Sequence, residues 1–384
     1  MGSGQAFAVR LAAFYTALFL AFGVQLPFFP LWLNSRGLDA AVIGLVLSIP
    51  MVVRVVAIPL ASRYVDRRDA ARRTLAVSLG LAAIGYACAG LVDKATLLIV
   101  ACAVAAAAYA PVMSLTDAYA LKGLAAYGRP YGPVRLWGSL AFLAGMFAAG
   151  AAIDVMPADR LIWLLVLGMA LGALTAALLR PVPGAGGVDP GALQPTRFWR
   201  QPLFIAVLAA AALIQGSHSL YYGFSAVAWR DAGFEGSTVA ALWALGVIAE
   251  ILLFALQGRF PEWLTAPRLM MIGAAGGVLR WSLMALEPPA LLLPALQLLH
   301  ALSFGATHLG AVSYLARLAP PGYSARAQGY LSMALGLGSA VAMSLAGALY
   351  GAFGAGAYAA MALMAAAGGA GAFVAQRLDR GITE

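Results

Sequence analysis

The sequence contains very little charge. Its 24 Lys+Arg and 15 Asp+Glu make up 10% of 384 residues, whereas 63% of the residues are apolar. About a quarter of the residues of a soluble domain are charged. Because a soluble fold of this length would lack the polar surface it needs, the composition predicts an integral membrane protein in a lipid bilayer.

Cysteine is almost absent, and Cys88 and Cys102 both lie inside apolar runs. This excludes a disulfide framework and gives no ligand spacing for a metal, so we expect neither a metal nor a cofactor. The net charge of +9 is spread over short gaps between apolar runs, which argues against a nucleic-acid partner.

Long apolar runs fill the sequence instead. A membrane-spanning helix needs about 20 mostly apolar residues, and these runs do not alternate as the strands of a barrel do. We predict an all-α integral membrane protein with twelve transmembrane helices, at residues 11–33, 39–62, 74–92, 95–119, 136–153, 160–179, 202–228, 237–256, 268–286, 289–314, 327–350 and 354–375.

The middle of the chain differs from these runs. Residues 181–201 are rich in Gly and Pro and have no apolar period, which predicts a cytoplasmic linker between six-helix bundles at 1–180 and 202–384. Most lysines and arginines fall in gaps on the same side of the predicted membrane as the linker. The positive-inside rule therefore places both termini in the cytoplasm of a bacterial-type cytoplasmic (inner) membrane.

Some ionisable residues fall within or at the edge of the predicted spans, where each charge costs at least about 2.5–3.5 kcal/mol. They are Asp117, Glu250, Arg54, Arg135, Arg280 and all three histidines, His218, His300 and His308. Ion pairs that only hold helices together would account for part of this set. Three arginines against two carboxylates nevertheless leave a positive charge that suits an anionic ligand, and histidines and carboxylates can carry protons.

Aromatic residues accompany two of these positions. Tyr221 and Tyr222 follow His218, and Trp137 comes two residues after Arg135. Such residues commonly pack helices or lie at the membrane interface. They can also form the wall of a pocket for a flat, apolar ligand.

The loop SRYVDRRDAARR, residues 62–73, resembles the G-x-x-x-D-R-x-G-R-R loop of the major facilitator superfamily. Asp66 and Arg67 match, whereas Ser62 and Asp69 replace the two glycines. With twelve predicted spans and a six-plus-six division, the chain is similar to this superfamily. The resemblance implies alternating access between two halves, with Asp66, Arg67 and Arg54 as gating or structural charges.

Stretches in both halves resemble the phenylpropionate permease family, namely PLWLNSRGL, VMSLTDAYA, YGPVRLWGSLAF, YYGFSAVAW and GVLRWSLM. That family is related to the lactose permease type of oligosaccharide–proton symporters. Those symporters hold sugar with an acid and an Arg 18 residues apart, the spacing of Asp117 and Arg135. Their proton network has an Arg and a His 20 apart, the spacing of Arg280 and His300. Ser303 replaces their proton-carrying Glu, so another residue must carry the proton here.

The resemblance implies a monomeric symporter that takes up a small organic anion, such as 3-phenylpropionate, with a proton as the coupling ion. Arg135, aided by Arg280, would bind the carboxylate, and Asp117 would neutralise Arg135 in the empty site. The remaining substrate-binding candidates are Tyr221, Tyr222, Trp137 and His218. Glu250 is the leading candidate for the proton carrier, and the others are His300, His308 and Asp117.

Other functions fit the same residues. A sugar or nucleoside symporter would use Asp117 and Arg135 on hydroxyl groups. A drug exporter would use the carboxylates on cations, but three intramembrane arginines disfavour cationic cargo. A receptor that does not transport is also compatible with the sequence, whereas an enzyme would need a nucleophile–base or metal constellation that the sequence does not contain.

Overall fold

A computed structural model of the chain describes residues 3–68, 70–182, 198–320 and 323–383. These ranges fold almost entirely into helices and contain no β-strand. In chain order the α-helices are α1 (Ser3–Ser35), α2 (Ala40–Arg68), α3 (Ala71–Leu91), α4 (Ala95–Tyr109), α5 (Val112–Ala126), α6 (Tyr131–Val155), α7 (Ile162–Ala177), α8 (Pro202–Gly216), α9 (Ser219–Asp231), α10 (Gly236–Leu256), α11 (Ala266–Ala285), α12 (Leu293–Leu298), α13 (Thr307–Leu318), α14 (Ser324–Phe353) and α15 (Tyr358–Thr383).

Three of the predicted spans are interrupted helices. The span at 95–119 contains α4 and the start of α5, and the span at 202–228 contains α8 and most of α9. The span at 289–314 contains α12, a π-helical turn at Ala301–Ala306 and most of α13. Pro111 lies at the first break, where a residue without an N–H cannot continue the helical hydrogen bonds.

The all-helical membrane fold is confirmed, while the count of twelve stays a prediction. In the part of the chain that is described, ten stretches are long and apolar enough to cross a membrane. One of them, Arg326–Asp379, contains most of α14 and most of α15. Helix α11 coincides with the ninth predicted span but is not among the ten, because Arg268 and Arg280 lower its mean hydropathy.

The chain forms two compact units. Unit 1 comprises Met1–Asp39, Ile49–Asp189 and Ala226–Ala240, and unit 2 comprises Ala40–Ser48, Pro190–Ser225 and Ala241–Glu384. Most of the predicted linker, residues 183–197, lies outside the described residues, so the predicted boundaries of the two bundles stay predictions.

In unit 1, α1 and α6 cross at a distance that only glycine permits. A Cβ atom at Gly23 would lie 2.2 Å from the carbonyl oxygen of Phe142, and one at Gly145 would lie 2.3 Å from that of Leu20. Small residues let helix backbones approach closely, which increases van der Waals contact where there is no hydrophobic driving force in lipid. This contact fixes α6, and α6 carries Arg135.

In unit 2, α8 packs against the long helices near the end of the chain. Its residues Phe204 and Val207 are fully buried in a core that also contains Met270, Tyr314 and Leu331. The core anchors α8 immediately before the break at Ser217 and His218. Both interruptions in unit 2 lie close to the polar residues described next.

Candidate functional site

Arg280, on α11, is the largest buried charge of unit 2 and is not exposed at all. Its Nη2 donates to Oε1 of Gln297 at 2.6 Å, and its Nη1 donates to Nδ1 of His300 at 3.1 Å. Its Nε is buried without a hydrogen-bond partner. Among the described residues no carboxylate lies within ion-pair distance of it, so its direct partners are neutral groups.

Aromatic rings enclose this guanidinium. Its Cζ lies 4.5 Å from the ring centroid of Tyr221 and 4.6 Å from that of Trp281. Tyr221 in turn stacks on Trp243, with centroids 4.6 Å apart. A cation held against ring faces away from water gains about 2 kcal/mol, which offsets part of the cost of burying Arg280.

His300 connects Arg280 to Glu250. Because a guanidinium only donates, Nδ1 of His300 must accept, and the ring proton of the neutral histidine then lies on Nε2. This Nε2 lies 3.5 Å from Oε2 of Glu250 on α10. The sequence spacing of Arg280 and His300 therefore corresponds to a direct contact, and Glu250 is the acid at the end of the same chain of contacts.

His218, at the break between α8 and α9, holds the opposite tautomer. Its Nδ1 lies 3.2 Å from the carbonyl oxygens of both Ile214 and Gln215, so this nitrogen carries the proton. Its Nε2 accepts from the hydroxyl of Ser303 at 3.0 Å. His218 is therefore fully buried, and both of its ring nitrogens have hydrogen-bond partners.

Both interruptions in unit 2 contribute to this cluster. The hydroxyl of Ser217 bonds back to the carbonyl of Ile214 at 2.6 Å, which competes with continuation of α8. The π-helical turn at Ala301–Ala306 contains Ser303, and Gln215 donates to the carbonyl of Phe304 in that turn at 3.2 Å. π-Helical turns and broken membrane helices recur at functional sites because they place polar groups inside an apolar environment.

Unit 1 has its own polar cluster around Asp117 on α5. Oδ1 of Asp117 accepts hydrogen bonds from the hydroxyls of Tyr15 at 2.6 Å and Tyr131 at 2.9 Å. The predicted neutralisation of Arg135 by Asp117 does not occur here, since these two residues form no ion pair. The two tyrosine hydroxyls take the position that the arginine was expected to fill.

Arg135 lies on an aromatic surface instead. Its Cζ is 4.1 Å from the ring centroid of Phe19 and 5.7 Å from that of Tyr15. The Nη1 atom is buried and has no hydrogen-bond partner. Gly138, one turn further along α6, leaves the room for this arrangement, because a Cβ there would be 3.0 Å from Nη1 of Arg135 and 3.1 Å from the Phe19 ring.

The other predicted site residues have different surroundings. Tyr222 stacks on His218 with centroids 5.8 Å apart, and His308 stacks on Phe304 at 5.9 Å. Trp137 is 55% exposed, since two positions turn a helix by about 200° and carry it away from Arg135. The remaining three are Arg54, which is exposed, and Asp66 and Arg67, whose side chains lie outside the described part of the structure.

Several residues of these clusters were not predicted from the sequence. Tyr15, Tyr131 and Gln297 complete the hydrogen bonding of Asp117 and Arg280. Two of them had a usable signal: Gln297 is a polar residue in an apolar run three positions before His300, and Tyr131 precedes Arg135 by one helical turn. Tyr15 had none, because it comes from a distant part of the chain.

Comparison with known proteins places these features in context. A family model described as the MFS_1 like family matches residues 8–360. The probable 3-phenylpropionic acid transporter of Escherichia coli (strain K12) is 33% identical over 363 residues, which cover 92% of this chain and 94% of that protein. Maltose permease of Geobacillus stearothermophilus is 28% identical over 315 residues, which cover 80% of this chain and 78% of that protein.

The fold is also that of solved transporter structures. The crystal structure of the nucleoside transporter NupG superposes with a TM-score of 0.80 at 18% identity, covering 97% of this chain and 98% of that one. At this identity the similarity is evidence for the fold and not for the substrate.

Proposed function

Because the chain belongs to the MFS_1 like family of membrane transporters, we propose that it takes up a small organic acid together with a proton by alternating access. It is a transporter and not an enzyme. The proposed substrate is an aromatic acid such as 3-phenylpropionate, which the printed name of the 33% identical relative supports. The observation that carries the proposal is the unpartnered Nη1 of Arg135 above an aromatic ring.

Arg135 is the proposed ligand of the carboxylate. Its guanidinium lacks an ion-pair partner among the described residues, so a bound carboxylate would supply the missing hydrogen-bond acceptor. The buried rings of Phe19 and Tyr15 would hold the guanidinium in place for the carboxylate. Arg280 is less suited to this role, because it is fully enclosed and already bonded to Gln297 and His300.

Glu250 is the proposed proton carrier. Its carboxylate lies 3.5 Å from Nε2 of His300, and Arg280 donates to the other ring nitrogen of His300. Gain or loss of a proton on Glu250 would therefore change its interaction with His300 and, through it, with the buried Arg280. His300 is a weaker candidate, because Arg280 already occupies its Nδ1. In this proposal Arg280 and His300 position Glu250 and do not bind the substrate.

Binding of purified protein to aromatic acids tests the first step. Arg135→Ala should weaken binding of 3-phenylpropionate at least about tenfold, because hydrogen bonds to a charged group are lost. Arg135→Lys keeps the charge but cannot bind both carboxylate oxygens with one planar group, so its affinity should lie between that of the parent and that of Arg135→Ala. Unchanged affinity in Arg135→Ala would remove Arg135 from the binding site.

Transport in proteoliposomes tests the second step. Glu250→Gln should abolish accumulation driven by a pH gradient while exchange of labelled for unlabelled substrate continues. Glu262→Gln, which changes an exposed acid on the segment between α10 and α11, is the matched control and should accumulate normally. If Glu250→Gln accumulates substrate as the parent does, the proton is carried elsewhere.

A sugar or nucleoside is the second candidate substrate. Support comes from the name of the 28% identical relative, a maltose permease, and from the hydroxyl-bearing cluster of Tyr15, Tyr131 and Asp117. A thermal-shift screen separates the candidates, because a ligand of the native state raises the unfolding temperature. Stabilisation by maltose or a nucleoside, without any by aromatic acids, would favour this second candidate.

Cytoplasmic termini in a bacterial inner membrane and a monomeric carrier complete the proposal. The excess of Lys and Arg on the side of the termini supports this orientation. A reporter that is active only in the cytoplasm, fused after Glu384, should be active. A reporter that is active only after export should be silent at the same position.

A further inference from the structure

A cavity of about 480 Å³ lies in unit 2, apart from the clusters described above. Its walls are the start of α11 at Thr265–Arg268, Ser313 and Arg317 of α13, and Gln376 and Asp379 of α15. Arg280 is 12 residues further along α11 than Arg268, which corresponds to about 18 Å of helix. The cavity is therefore separate from the buried arginine cluster.

The walls of the cavity are suited to an anion. Nη1 of Arg268 donates to the carbonyl of Trp263 at 2.7 Å, and this is the one hydrogen bond of its guanidinium within the described ranges. Arg317 forms an ion pair with Asp379, but its side chain remains 54% exposed. Two arginines against a single carboxylate leave one positive charge, and a guanidinium can bind two oxygens of a phosphate at once.

The start of α11 adds donors to this charge. Its first intrahelical hydrogen bond is donated by Leu269 to the carbonyl of Thr265, so the N–H groups before Leu269 have no intrahelical acceptor. The side chain of Thr265 makes no capping hydrogen bond. The end of the 20-residue helix therefore presents partial positive charge to the cavity that Arg268 and Arg317 line.

Exposed apolar side chains lie close in the chain to the residues that line the cavity. Trp263, whose carbonyl binds Arg268, is 59% exposed, and exposed tryptophans are typical of the membrane–water interface. Phe373 lies one helical turn before Gln376 on α15 and is 47% exposed, and its neighbour Val374 is 50% exposed. The acyl chains of a lipid whose phosphate occupied the cavity would lie along these side chains, whereas a free phosphate would make no contact with them.

We propose that this cavity binds the phosphate of an anionic phospholipid, with Arg268 and Arg317 on the headgroup and the acyl chains along α15. Basic pockets between membrane helices are suited to anionic headgroups, because the guanidinium groups meet the phosphate at the depth where the bilayer holds it. The site does not depend on which substrate the protein carries.

Native mass spectrometry of the purified protein, titrated with phosphatidylglycerol, tests the site. Arg268→Gln and Arg317→Gln should each weaken binding about tenfold, as expected for the loss of hydrogen bonds to a charged group. Arg259→Gln, which removes an exposed arginine on the segment between α10 and α11 that does not line the cavity, should bind as the parent does. Equal losses of phosphatidylglycerol affinity in all three variants would mean that the overall positive charge, and not the cavity, attracts the lipid, and would overturn the proposal.

Two further arms identify the ligand and guard against misfolding. Phosphatidylcholine should bind more weakly than phosphatidylglycerol and should be insensitive to Arg268→Gln, and inorganic phosphate should not displace the lipid. Displacement by millimolar phosphate would assign the site to a free anion and overturn the proposal that it binds a lipid. Ser313→Phe fills the cavity without changing its charge, so it should also weaken lipid binding. It replaces the arginine variants as the test if either of them fails to fold, and unchanged binding in Ser313→Phe would contradict the proposal.

Discussion

At the scale of single residues, Arg135 and Arg280 carry the same charge in different surroundings. Arg280 is completely enclosed and holds Gln297 and His300, whereas Arg135 is half-buried and its Nη1 has no partner. Both side chains have one buried nitrogen without a partner, but only the Arg280 guanidinium makes hydrogen bonds to its neighbours, and such bonds contribute to stability. Among the described residues the Arg135 guanidinium has only ring contacts, so its donors can bind a ligand. We therefore expect Arg280 to contribute mainly to the stability of the fold and Arg135 mainly to ligand binding.

Replacement of each arginine by glutamine measures this difference. Arg280→Gln should lower the free energy of unfolding by about 2–3 kcal/mol, because two buried charged hydrogen bonds are lost. Arg135→Gln should change it by less than about 1 kcal/mol, since no ion pair is broken. Unfolding in detergent, followed by circular dichroism, gives both values, and equal losses would contradict the distinction.

Gly138 offers a test of Arg135 that leaves its charge in place. An added Cβ would press on Nη1 of Arg135 and on the ring of Phe19. Gly138→Ala should therefore weaken binding of the organic acid several-fold. Gly132→Ala on the same helix is the control, because a Cβ there meets nothing within 4 Å. Equal affinities in the two variants would show that the position of Arg135 does not govern binding.

The residue pairs also show what sequence spacing can predict. Arg280 and His300 were expected to share a network, and they are hydrogen-bonded. Asp117 and Arg135 were expected to pair, but hydroxyl groups occupy Oδ1 of Asp117. Spacing on helices predicts which residues share a region, whereas the partner a carboxylate takes depends on tyrosines whose positions carry no local signal. Trp137 is exposed on a different face of α6 from Arg135, because two positions turn a helix by about 200°, and its part in binding stays a prediction.

At the scale of elements, the start of α10 is held by an acid from α6. Asp154 accepts from the backbone N–H of Gly236 at 2.6 Å and of Ser237 at 3.0 Å, and it forms an ion pair with Arg230 at 3.1 Å. An acidic side chain at the start of a helix satisfies N–H groups that otherwise have no acceptor and favours the helix dipole. Asp154 performs this role across a tertiary contact within unit 1.

Loss of this contact should be measurable as a change in stability. Asp154→Ala should lower the free energy of unfolding by about 1 kcal/mol, within the range found for helix-capping residues. Asp154→Asn keeps an acceptor oxygen and should lose less. Thermal unfolding of the two variants beside the parent provides the comparison. A loss in Asp154→Asn as large as in Asp154→Ala would assign the effect to charge alone.

The interruptions of helices were the elements least accessible to prediction. The apolar runs at 202–228 and 289–314 were expected to be continuous helices, because hydropathy does not register a local change of hydrogen bonding. At the break, Ser217 and His218 bond to backbone carbonyls of α8. Carbonyls of the π-helical turn at Ala301–Ala306 likewise accept from the side chains of Gln215 and Thr307. The apolar lengths of the runs therefore predicted helical segments but not the path of the backbone within them.

At the scale of the whole molecule, coupling one proton to one monovalent carboxylate moves no net charge. Accumulation in proteoliposomes should follow a pH gradient, acid outside, by about tenfold per unit, since one unit supplies about 1.4 kcal/mol. A potassium-diffusion potential set with valinomycin at equal pH should drive none. Accumulation under the potential alone would mean that more than one proton accompanies each substrate.

The two polar clusters have no residue in common. Asp117, Arg135 and Tyr15 belong to unit 1, whereas Arg280, His300 and Glu250 belong to unit 2. Mutation can therefore alter the surroundings of one cluster during evolution without touching the contacts of the other. If Arg135 binds the cargo and Glu250 carries the proton, as proposed, descendants of one ancestral carrier would acquire new cargo through unit 1 and inherit their energy source unchanged through unit 2. A chimaera that joins the two halves of diverged relatives would then carry the cargo of one parent with the energetics of the other.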